Sequence, residues 1–466
     1  MNLLDFLEAY KETMAPMHMP GHKRNSALAP YLARLAADLD MTEVEGLDNL
    51  HGAEGILREG MARTAALWGS KRAFWLVGGS TCGVLAGVYA AVPAGGKVLC
   101  ARNCHRAVYN GLLLRGADPV FFMPETERET GVYGPVNPVA IEALLDEHPD
   151  TKLIILTSPT YEGIVSDVPE ICRVAHGRGI PVLVDEAHGA HLGFGHGFPD
   201  GAVHAGADIA VQSLHKTLPS LTQTAVLHLN GSLVDEGLVA DALAIFETSS
   251  PSYLLMSSIS GCTELLYERG DELFDAWQGR LTAFYEKTAE LKRLSVMRPK
   301  WAHDPSKLIV LTGRAGMTGS WLAARLREEY RIETEMAAGS YLVAMTGMGD
   351  TGEMMEAFAR ALLDIDRKAA GGSLAPFPAP VLPKRAISLA EARRGPSAAV
   401  LLAEAVGRVC AETVWAYPPG IPLTLPGEVI SNEMVELFVR YGKAGVHLKS
   451  TSGLAPMYIA VLTEMT

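Results

Sequence analysis

Between about residues 54 and 229, short continuous apolar runs alternate along the chain with longer stretches in which apolar residues recur at helical spacing. The helical stretches include 55–68, a segment that ends near residue 91, and 105–115. Short runs that are apolar at nearly every position are typical of strands buried on both faces. Their alternation with helices predicts an α/β fold whose mostly parallel sheet is covered by helices. The seven predicted strands are 73–77, 97–101, 118–122, 152–157, 181–185, 209–212 and 224–229.

The pattern changes after Ser250 and divides the rest of the chain into smaller units. Two long helical stretches are predicted between 252 and 294, and a strand at 308–311 and helices at 318–330 and 353–368 follow them. Glycine and proline then interrupt regular structure before a last unit that ends in short strands. The predicted division is an N-terminal arm over 1–50, a large domain over 51–295, a small α+β domain over 296–370, a linker over 371–385 and a C-terminal domain over 386–466.

Composition places the chain among acidic globular proteins and excludes several classes of function. Of its 466 residues, 48% are hydrophobic and 20% are charged, which is the balance of a folded protein. The net charge is −13 and no basic stripe with interleaved aromatic residues occurs, so no nucleic-acid partner is predicted. The N-terminus lacks the pattern of a secretory signal, and no apolar run approaches the roughly 20 residues of a membrane span. We therefore predict a cytoplasmic protein without membrane contact.

The six cysteines are scattered along the chain, and no two of them form a C-x-x-C pair. Cys100, Cys104 and His105 lie close together, but no matching second half of a metal site occurs elsewhere. The sequence therefore predicts no metal ion, and the cysteine pattern fits a reducing compartment.

An acidic residue ends a predicted strand in the segment VLVDEAHGAH (182–191). In parallel α/β sheets, ligands bind outside the carboxyl ends of the strands, which is where this pattern places Asp185. A carboxylate there is costly unless it meets a positive charge, and a protonated pyridinium nitrogen is such a partner. A helix cap or a structural ion pair explains Asp185 equally well.

A lysine follows the next predicted strand along the chain. Ser213, His215 and Lys216 stand in the turn after the strand at 209–212. Burial at a strand end lowers the pKa of a lysine and makes its amine nucleophilic enough to form a Schiff base. A surface lysine in a loop is the alternative interpretation.

The turn GGST (78–81) stands between a predicted strand and a predicted helix. Backbone N–H groups at a helix N-terminus, together with the hydroxyls of Ser80 and Thr81, form an anion site that suits a phosphate. An ordinary helix cap is the alternative. The phosphate site, Asp185 and Lys216 together describe a cofactor with a phosphate, a basic ring nitrogen and an aldehyde, which is pyridoxal 5'-phosphate (PLP).

With these residues in place, the chain resembles the short form of the Orn/Lys/Arg decarboxylase family of fold-type-I PLP enzymes over nearly its whole length. The resemblance implies a PLP-transferase-like large domain with a mostly parallel seven-stranded sheet, and small α+β C-terminal domains. The larger members of the family carry an N-terminal receiver-like domain, which the short form is expected to lack. The segments that carry the resemblance are HMPGHK (18–23), TEVEGLDNLH (42–51), GGST (78–81), RNCHRAVYN (102–110), TSPTYEG (157–163), VDEAHGAH (184–191), QSLHKT (212–217), SSPSYLLMSS (249–258) and AYPPGIPLTLPGE (416–428).

The resemblance implies a role for each candidate residue. Lys216 would hold PLP covalently, Asp185 would keep the ring nitrogen protonated, and His105 would stack on the ring, with His188 close by. The residues implied to hold the phosphate are Ser80, Thr81, Ser213 and His215. Thr248 and Ser249 resemble a segment that reaches the phosphate of the neighbouring subunit, which implies a homodimer with shared active sites.

The implied reaction is decarboxylation of a basic amino acid (arginine, lysine or ornithine) to the amine and CO₂, as in polyamine biosynthesis. Lys216 and His188 are candidates for protonating Cα afterwards. The cationic tail of such a substrate needs a carboxylate. Glu428 is the first candidate, and a cap or a salt bridge explains it equally well; the other candidates are Glu43, Glu45 and Asp48.

Two other functions fit parts of the same pattern. A PLP-dependent aminotransferase or lyase can share the fold, because fold does not fix chemistry. An aminotransferase normally clamps the substrate carboxylate with an arginine, and Arg314, Arg325 and Arg327 lie in the small domain without a recognised motif. A non-catalytic sensor would be expected to lack the lysine, which is present. One departure from the family pattern is Gly79, where we expect a more polar residue.

Overall fold

The computed structural model describes residues 15–17, 48–374, 381–417 and 420–463. The first eight strands among these residues are β1 (Ala15–Met17), β2 (Arg72–Leu76), β3 (Lys97–Ala101), β4 (Asp118–Phe122), β5 (Thr151–Thr157), β6 (Val182–Asp185), β7 (Ile209–Ser213) and β8 (Ala225–Leu229). The largest sheet that they form has seven strands, in the spatial order β2-β8-β7-β6-β5-β3-β4. Neighbouring strands from β7 to β4 pair in parallel, whereas β8 is antiparallel to both of its neighbours. The predicted seven-stranded, mostly parallel sheet is therefore confirmed.

Helices cover both faces of this sheet, because its strands are apolar at almost every position. The helix Gly79–Ala91 packs closely against the strands. A Cβ atom on Gly83 would lie 2.5 Å from the side chain of Leu76, and one on Gly87 would lie 2.7 Å from that of Leu183. The other helices of this part are Ile56–Trp68, Arg106–Arg115, Pro138–Glu147, Val168–His176, Leu214–Thr217 and Glu236–Phe246.

The region 252–294 forms one helix of 36 residues, Tyr253–Thr288, so the prediction of two helical stretches was wrong. Ser252 caps its N-terminus by accepting a hydrogen bond from the Leu255 N–H. No proline interrupts the segment, and the helix continues through Gly270 and Gly279. Buried side chains recur along its whole length, and continuous packing holds it together as one element.

The rest of the described chain forms smaller sheets. Their strands are β9 (Ser295–Val296), β10 (Lys307–Leu311), β11 (Ile332–Thr334), β12 (Met336–Ala337), β13 (Tyr341–Met345), β14 (Ser397–Leu401), β15 (Val414–Tyr417), β16 (Pro422–Thr424), β17 (His447–Ser450) and β18 (Tyr458–Leu462). A four-stranded antiparallel sheet, in the order β12-β13-β10-β9, packs with the helices Gly319–Tyr330 and Gly352–Lys368. Two further sheets, β14-β18 and β16-β15-β17, pack with the helices Leu389–Arg394 and Asn432–Lys443. The short strand β11 pairs in parallel with β1.

One hydrophobic core crosses the predicted boundary at residue 295. It contains Trp68 and Trp75 of the large unit together with Leu308 and Phe358 of the smaller one. The two units therefore share packed side chains, and residues of the smaller unit are brought to the edge of the large sheet. Among the described helices, none has both the length and the apolar character that a membrane crossing requires.

Candidate active site

A cavity of about 490 Å³ lies at the carboxyl ends of β5, β6 and β7. Thr157, Asp185 and Ser213 end these three strands and line it. Residues far away in sequence complete the wall, because the smaller units fold back over this edge; they are Thr334, Glu335, Tyr417 and Ile421. The cavity therefore lies where ligands bind in parallel α/β sheets.

Lys216 projects into this cavity from the short helix that follows β7. Its Nζ lies 2.9 Å from Nε2 of His188. Burial lowers the pKa of Lys216 from 10.5 to about 8, helped by the positive charge of Lys307 and opposed by the negative charges of Asp185 and Glu335. About a tenth of this amine is therefore unprotonated at pH 7, far more than of an ordinary lysine, which makes Lys216 suited to act as a nucleophile.

Asp185 ends β6 and faces the same cavity. The Ala187 N–H donates to its carboxylate at 3.2 Å. Burial raises the pKa of Asp185, and the nearby Lys216 opposes that shift. A cationic nitrogen within the cavity would satisfy this buried acid.

The segment 79–81 forms a further part of the cavity wall, at the N-terminus of the helix Gly79–Ala91. Gly79 has φ +71°, a left-handed conformation that favours glycine, which explains the departure from the expected polar residue. The Ser213 hydroxyl donates to the Ser80 hydroxyl at 3.0 Å, so the end of β7 and the first turn of this helix meet here. His215 faces the same space, and its Nδ1 bonds the Thr224 carbonyl at 2.9 Å. Backbone N–H groups and hydroxyls at a helix N-terminus suit a phosphate.

His105 caps the helix Arg106–Arg115, where its Nδ1 accepts a hydrogen bond from the Ala107 N–H at 3.2 Å. Burial, with the positive charges of Lys216 and Arg106, lowers its pKa to about 4. The imidazole is therefore neutral at neutral pH. A neutral ring that faces the cavity can stack on an aromatic cofactor.

Three buried polar atoms of the cavity wall have no hydrogen-bond partner within the described residues: Asn103 Oδ1, Thr157 Oγ1 and His188 Nδ1. Buried polar groups in folded proteins are almost always hydrogen-bonded, so these atoms fit a polar ligand such as PLP. Asn103 lies within a motif quoted for the family resemblance, and Thr157 ends a predicted strand. Nevertheless, neither Asn103 nor Thr157 was predicted as a site residue, whereas His188 was.

Glu335 is the second carboxylate on the described wall, besides Asp185. It lies between β11 and β12, and the Tyr161 hydroxyl donates to its Oε1. The Tyr161 ring lies 4.5 Å from the His188 ring, measured between centroids. Glu335 was not predicted as a site residue, because no local pattern in the sequence distinguishes it from the other acids of the small domain.

Glu428 lies outside the cavity wall. Its two carboxylate oxygens accept from Arg102 Nε at 3.2 Å and Nη2 at 3.0 Å, and both side chains are buried. The Leu425 N–H also donates to it, at 2.8 Å. Glu428 is therefore part of a buried ion pair that joins the C-terminal unit to the loop after β3.

The remaining candidates fall in three places. Thr248 and Ser249 lie on an exposed loop and do not line the cavity of their own chain. Asp48 accepts backbone N–H groups of the segment 54–57, as a structural cap does. Glu43 and Glu45 lie outside the described residues. Within the described part of the chain, no three acidic, histidine or cysteine side chains group closely enough to share a metal ion.

Comparison with known proteins gives matches over nearly the whole chain. The family model for the major domain of Orn/Lys/Arg decarboxylases matches residues 3–299, and the model for the C-terminal domain of the same family matches residues 374–448. An arginine decarboxylase of Halalkalibacterium halodurans is 31% identical over 94% of this chain and 92% of its own length. An arginine decarboxylase of Bacillus subtilis is 30% identical over 96% of this chain and 94% of its own length.

Solved structures show the same fold. Lysine decarboxylase A from Pseudomonas aeruginosa superposes with a TM-score of 0.76 at 19% identity, over 98% of this chain and 80% of that one. The matches confirm the resemblance that the motifs indicated, and with it the fold class and the prediction of an amino-acid-decarboxylating lyase. Membership of this family also confirms the prediction of PLP as the cofactor.

Proposed function

Since the chain belongs to the Orn/Lys/Arg decarboxylase family, we propose that it decarboxylates a basic amino acid, with arginine as the first candidate, through PLP held by Lys216. The observation that carries this proposal is the grouping of Lys216, Asp185 and the 79–81 helix terminus around one cavity. The two relatives named arginine decarboxylases, each matched over more than nine-tenths of its length, support arginine.

Each end of the cofactor has a residue of matching chemistry. Bound PLP supplies a conjugated ring that accepts the electron pair left behind when CO₂ departs. We propose that the partly unprotonated amine of Lys216 holds its aldehyde carbon and that the Asp185 carboxylate holds its ring nitrogen protonated. The neutral His105 ring would cover one face. The residues proposed to bind the phosphate are Ser80, Thr81, Ser213 and His215.

Glu335 is the carboxylate that we propose meets the cationic tail of the substrate. It faces the cavity, and the Tyr161 hydroxyl holds one of its oxygens. Glu428 is already engaged by Arg102, so placing a substrate cation on it would require breaking a buried ion pair. Glu335 therefore replaces Glu428 as the first candidate for recognising the basic side chain.

Lys216 and His188 are the groups that we propose move the proton to Cα. Their nitrogen atoms are 2.9 Å apart, so a proton can pass between them within one hydrogen bond. Burial and the nearby positive charges hold the pKa of His188 well below its usual range. The His188 ring is therefore neutral near neutral pH and accepts a hydrogen bond from Lys216, and Lys216, which has the higher pKa, is the group that delivers the proton.

The exposed loop with Thr248 and Ser249 supports the further proposal of a homodimer in which this loop reaches the phosphate of the neighbouring subunit. A place in polyamine biosynthesis and a cytoplasmic location follow from the proposed reaction and stay predictions. An aminotransferase is disfavoured, because no arginine lines the described cavity wall; Arg325 and Arg327 instead pair with Glu329 and Glu333.

The test is a decarboxylation screen with arginine, lysine and ornithine, in which CO₂ and amine are both quantified. We expect stoichiometric CO₂ and amine from at least one of the three, with the Lys216→Ala variant inactive. Amino transfer that depends on a keto acid and releases no CO₂ would instead assign an aminotransferase. The Lys287→Ala variant, which removes a half-buried lysine that pairs with Glu356 away from the cavity wall, is the matched control.

A further inference from the structure

A fully buried set of charged side chains lies behind the active site. The side chains of Asp304, Lys307 and His191 are all completely inaccessible to solvent. Lys307 Nζ lies 2.8 Å from Asp304 Oδ2, and His191 Nε2 lies 3.1 Å from the same oxygen. The Ser306 hydroxyl donates to Asp304 at 2.7 Å and accepts from Lys307 at 3.1 Å. We call these four residues the buried charge cluster.

The buried charge cluster contacts the main chain of His188 and the side chain of Thr217, which follows Lys216. Lys307 Nζ donates to the main-chain carbonyl of His188 at 3.3 Å. His191 Nδ1 lies 3.1 Å from the hydroxyl of Thr217, the residue that follows Lys216. The cluster thus connects the start of β10, in the smaller unit, with the two segments of the large unit that carry His188 and Lys216.

Burying these charges is costly, and an apolar set of the same volume is often as stable or more so. The chain also shapes its backbone for Lys307. Gly163 has φ +92°, and a Cβ atom there would lie 2.7 Å from Lys307 Cγ. Although burial alone would raise the pKa of Asp304, His191 and Lys307 hold it well below its usual range, so the anion stays ionised beside Lys307.

We propose that Lys307 is a positioning residue for the reaction at Lys216. Anchored by Asp304, its buried cation fixes the main chain of His188 and keeps the His188 ring neutral, so that Nε2 accepts a hydrogen bond from Lys216. The inference deepens the proposed function and rests on it for the role of Lys216.

The charges around the pair agree with this arrangement. Burial is the largest cause that lowers the pKa of His188, and the nearby groups Lys216, Lys307 and His105 lower it further. The anion of Asp304 raises it, but less strongly. Around Lys216, the anions of Asp185 and Glu335 raise the pKa and Lys307 lowers it. Removing the Lys307 cation should therefore raise the pKa of both groups.

The experiment measures Lys216 in the full chain freed of cofactor. The protein reacts briefly with PLP at graded pH, borohydride traps the product, and mass spectrometry counts modified Lys216. Capture by the wild type should have its midpoint near pH 8, where the pKa of Lys216 lies. In Lys307→Met, which keeps the aliphatic stem without the charge, the midpoint should rise above that of the wild type, because a like charge that lowers the pKa of Lys216 is gone.

Two variants separate charge from packing. Lys307→Arg perturbs the packing but keeps the cation, so its midpoint should stay near that of the wild type. Lys287→Met removes a half-buried cation outside the cavity wall and should leave the midpoint unchanged. An equal rise in Lys307→Met and Lys307→Arg, or an unmoved midpoint in folded Lys307→Met, overturns the inference. Failure of the wild type to capture PLP at Lys216 would instead overturn the proposed function.

If Lys307→Met does not fold, histidine NMR on the wild type decides. The His188 signal is assigned by its loss in His188→Gln. We expect a neutral ring throughout the range in which an ordinary histidine titrates, around pH 6.5. A ring that becomes protonated there would overturn the inference.

Discussion

Replacing Glu335 with glutamine tests substrate recognition most selectively, because the amide keeps the size of the side chain and an oxygen for the Tyr161 hydroxyl. What it removes is the negative charge that we propose meets the cationic tail. Hydrogen bonds to charged groups contribute about 1.5–3 kcal/mol, which corresponds to a loss of roughly 10- to 150-fold in kcat/KM. The loss should be confined to substrates with a charged tail.

The assay compares arginine with citrulline, which has nearly the same shape but an uncharged tail. In the wild type, arginine should be decarboxylated far more efficiently than citrulline, and in Glu335→Gln this preference should shrink by the factor lost on arginine. Glu333→Gln is the matched control, because Glu333 lies two residues away in β11 but pairs with Arg327 at 3.1 Å, away from the cavity wall. An equal loss on both substrates, or an unchanged preference, would refute the role of Glu335.

Three further outcomes follow from particular residues. Glu428→Gln leaves Arg102 buried without its anion, so the free energy of unfolding should fall by roughly 3–5 kcal/mol in denaturant melts, while the KM of the folded fraction stays unchanged. Gly79→Ala forces an alanine into φ +71°, which costs about 1–3 kcal/mol, and PLP titrations should show weakened cofactor binding. Gly95→Ala is the control, because Gly95 has nearly the same backbone conformation (φ +73°) but lies outside the cavity wall, so its cofactor binding should be unchanged. Burial raises the pKa of Glu186 from 4.5 in the unfolded chain to about 8 in the folded one. Between these two pKa values the folded state holds a proton that the unfolded state releases, so the free energy of unfolding should fall by up to about 1.4 kcal/mol per pH unit as the pH rises. Thermal melts of Glu186→Gln should lack this dependence on pH.

The central sheet and the residues at its strand ends could be predicted because they depend on local pattern. The strands at 97–101 and 118–122 have the predicted bounds, since each is a short apolar run between turns. Lys216 and Asp185 face one cavity, as expected for residues that follow neighbouring parallel strands. The region 252–294 was predicted as two helical stretches, but Tyr253–Thr288 is one helix, because side chains along it are buried in one continuous packing.

The residues that could not be predicted depend on contacts between distant segments. Glu428 was selected for its motif, but its partner Arg102 is 326 positions away, and nothing in the sequence around either residue indicates the pair. Glu335 reaches the cavity only because the smaller unit packs against the edge of the large sheet. The buried position of Lys307 also follows from that packing, since its sequence reads as an ordinary strand start.

Peptide mapping of the purified protein, after borohydride reduction in the presence of PLP, tests most directly whether Lys216 holds the cofactor. We expect one phosphopyridoxyl group per chain, on the peptide that contains Lys216, and none on that peptide in the Lys216→Ala variant. Modification spread over surface lysines, with Lys216 unmodified, would contradict it.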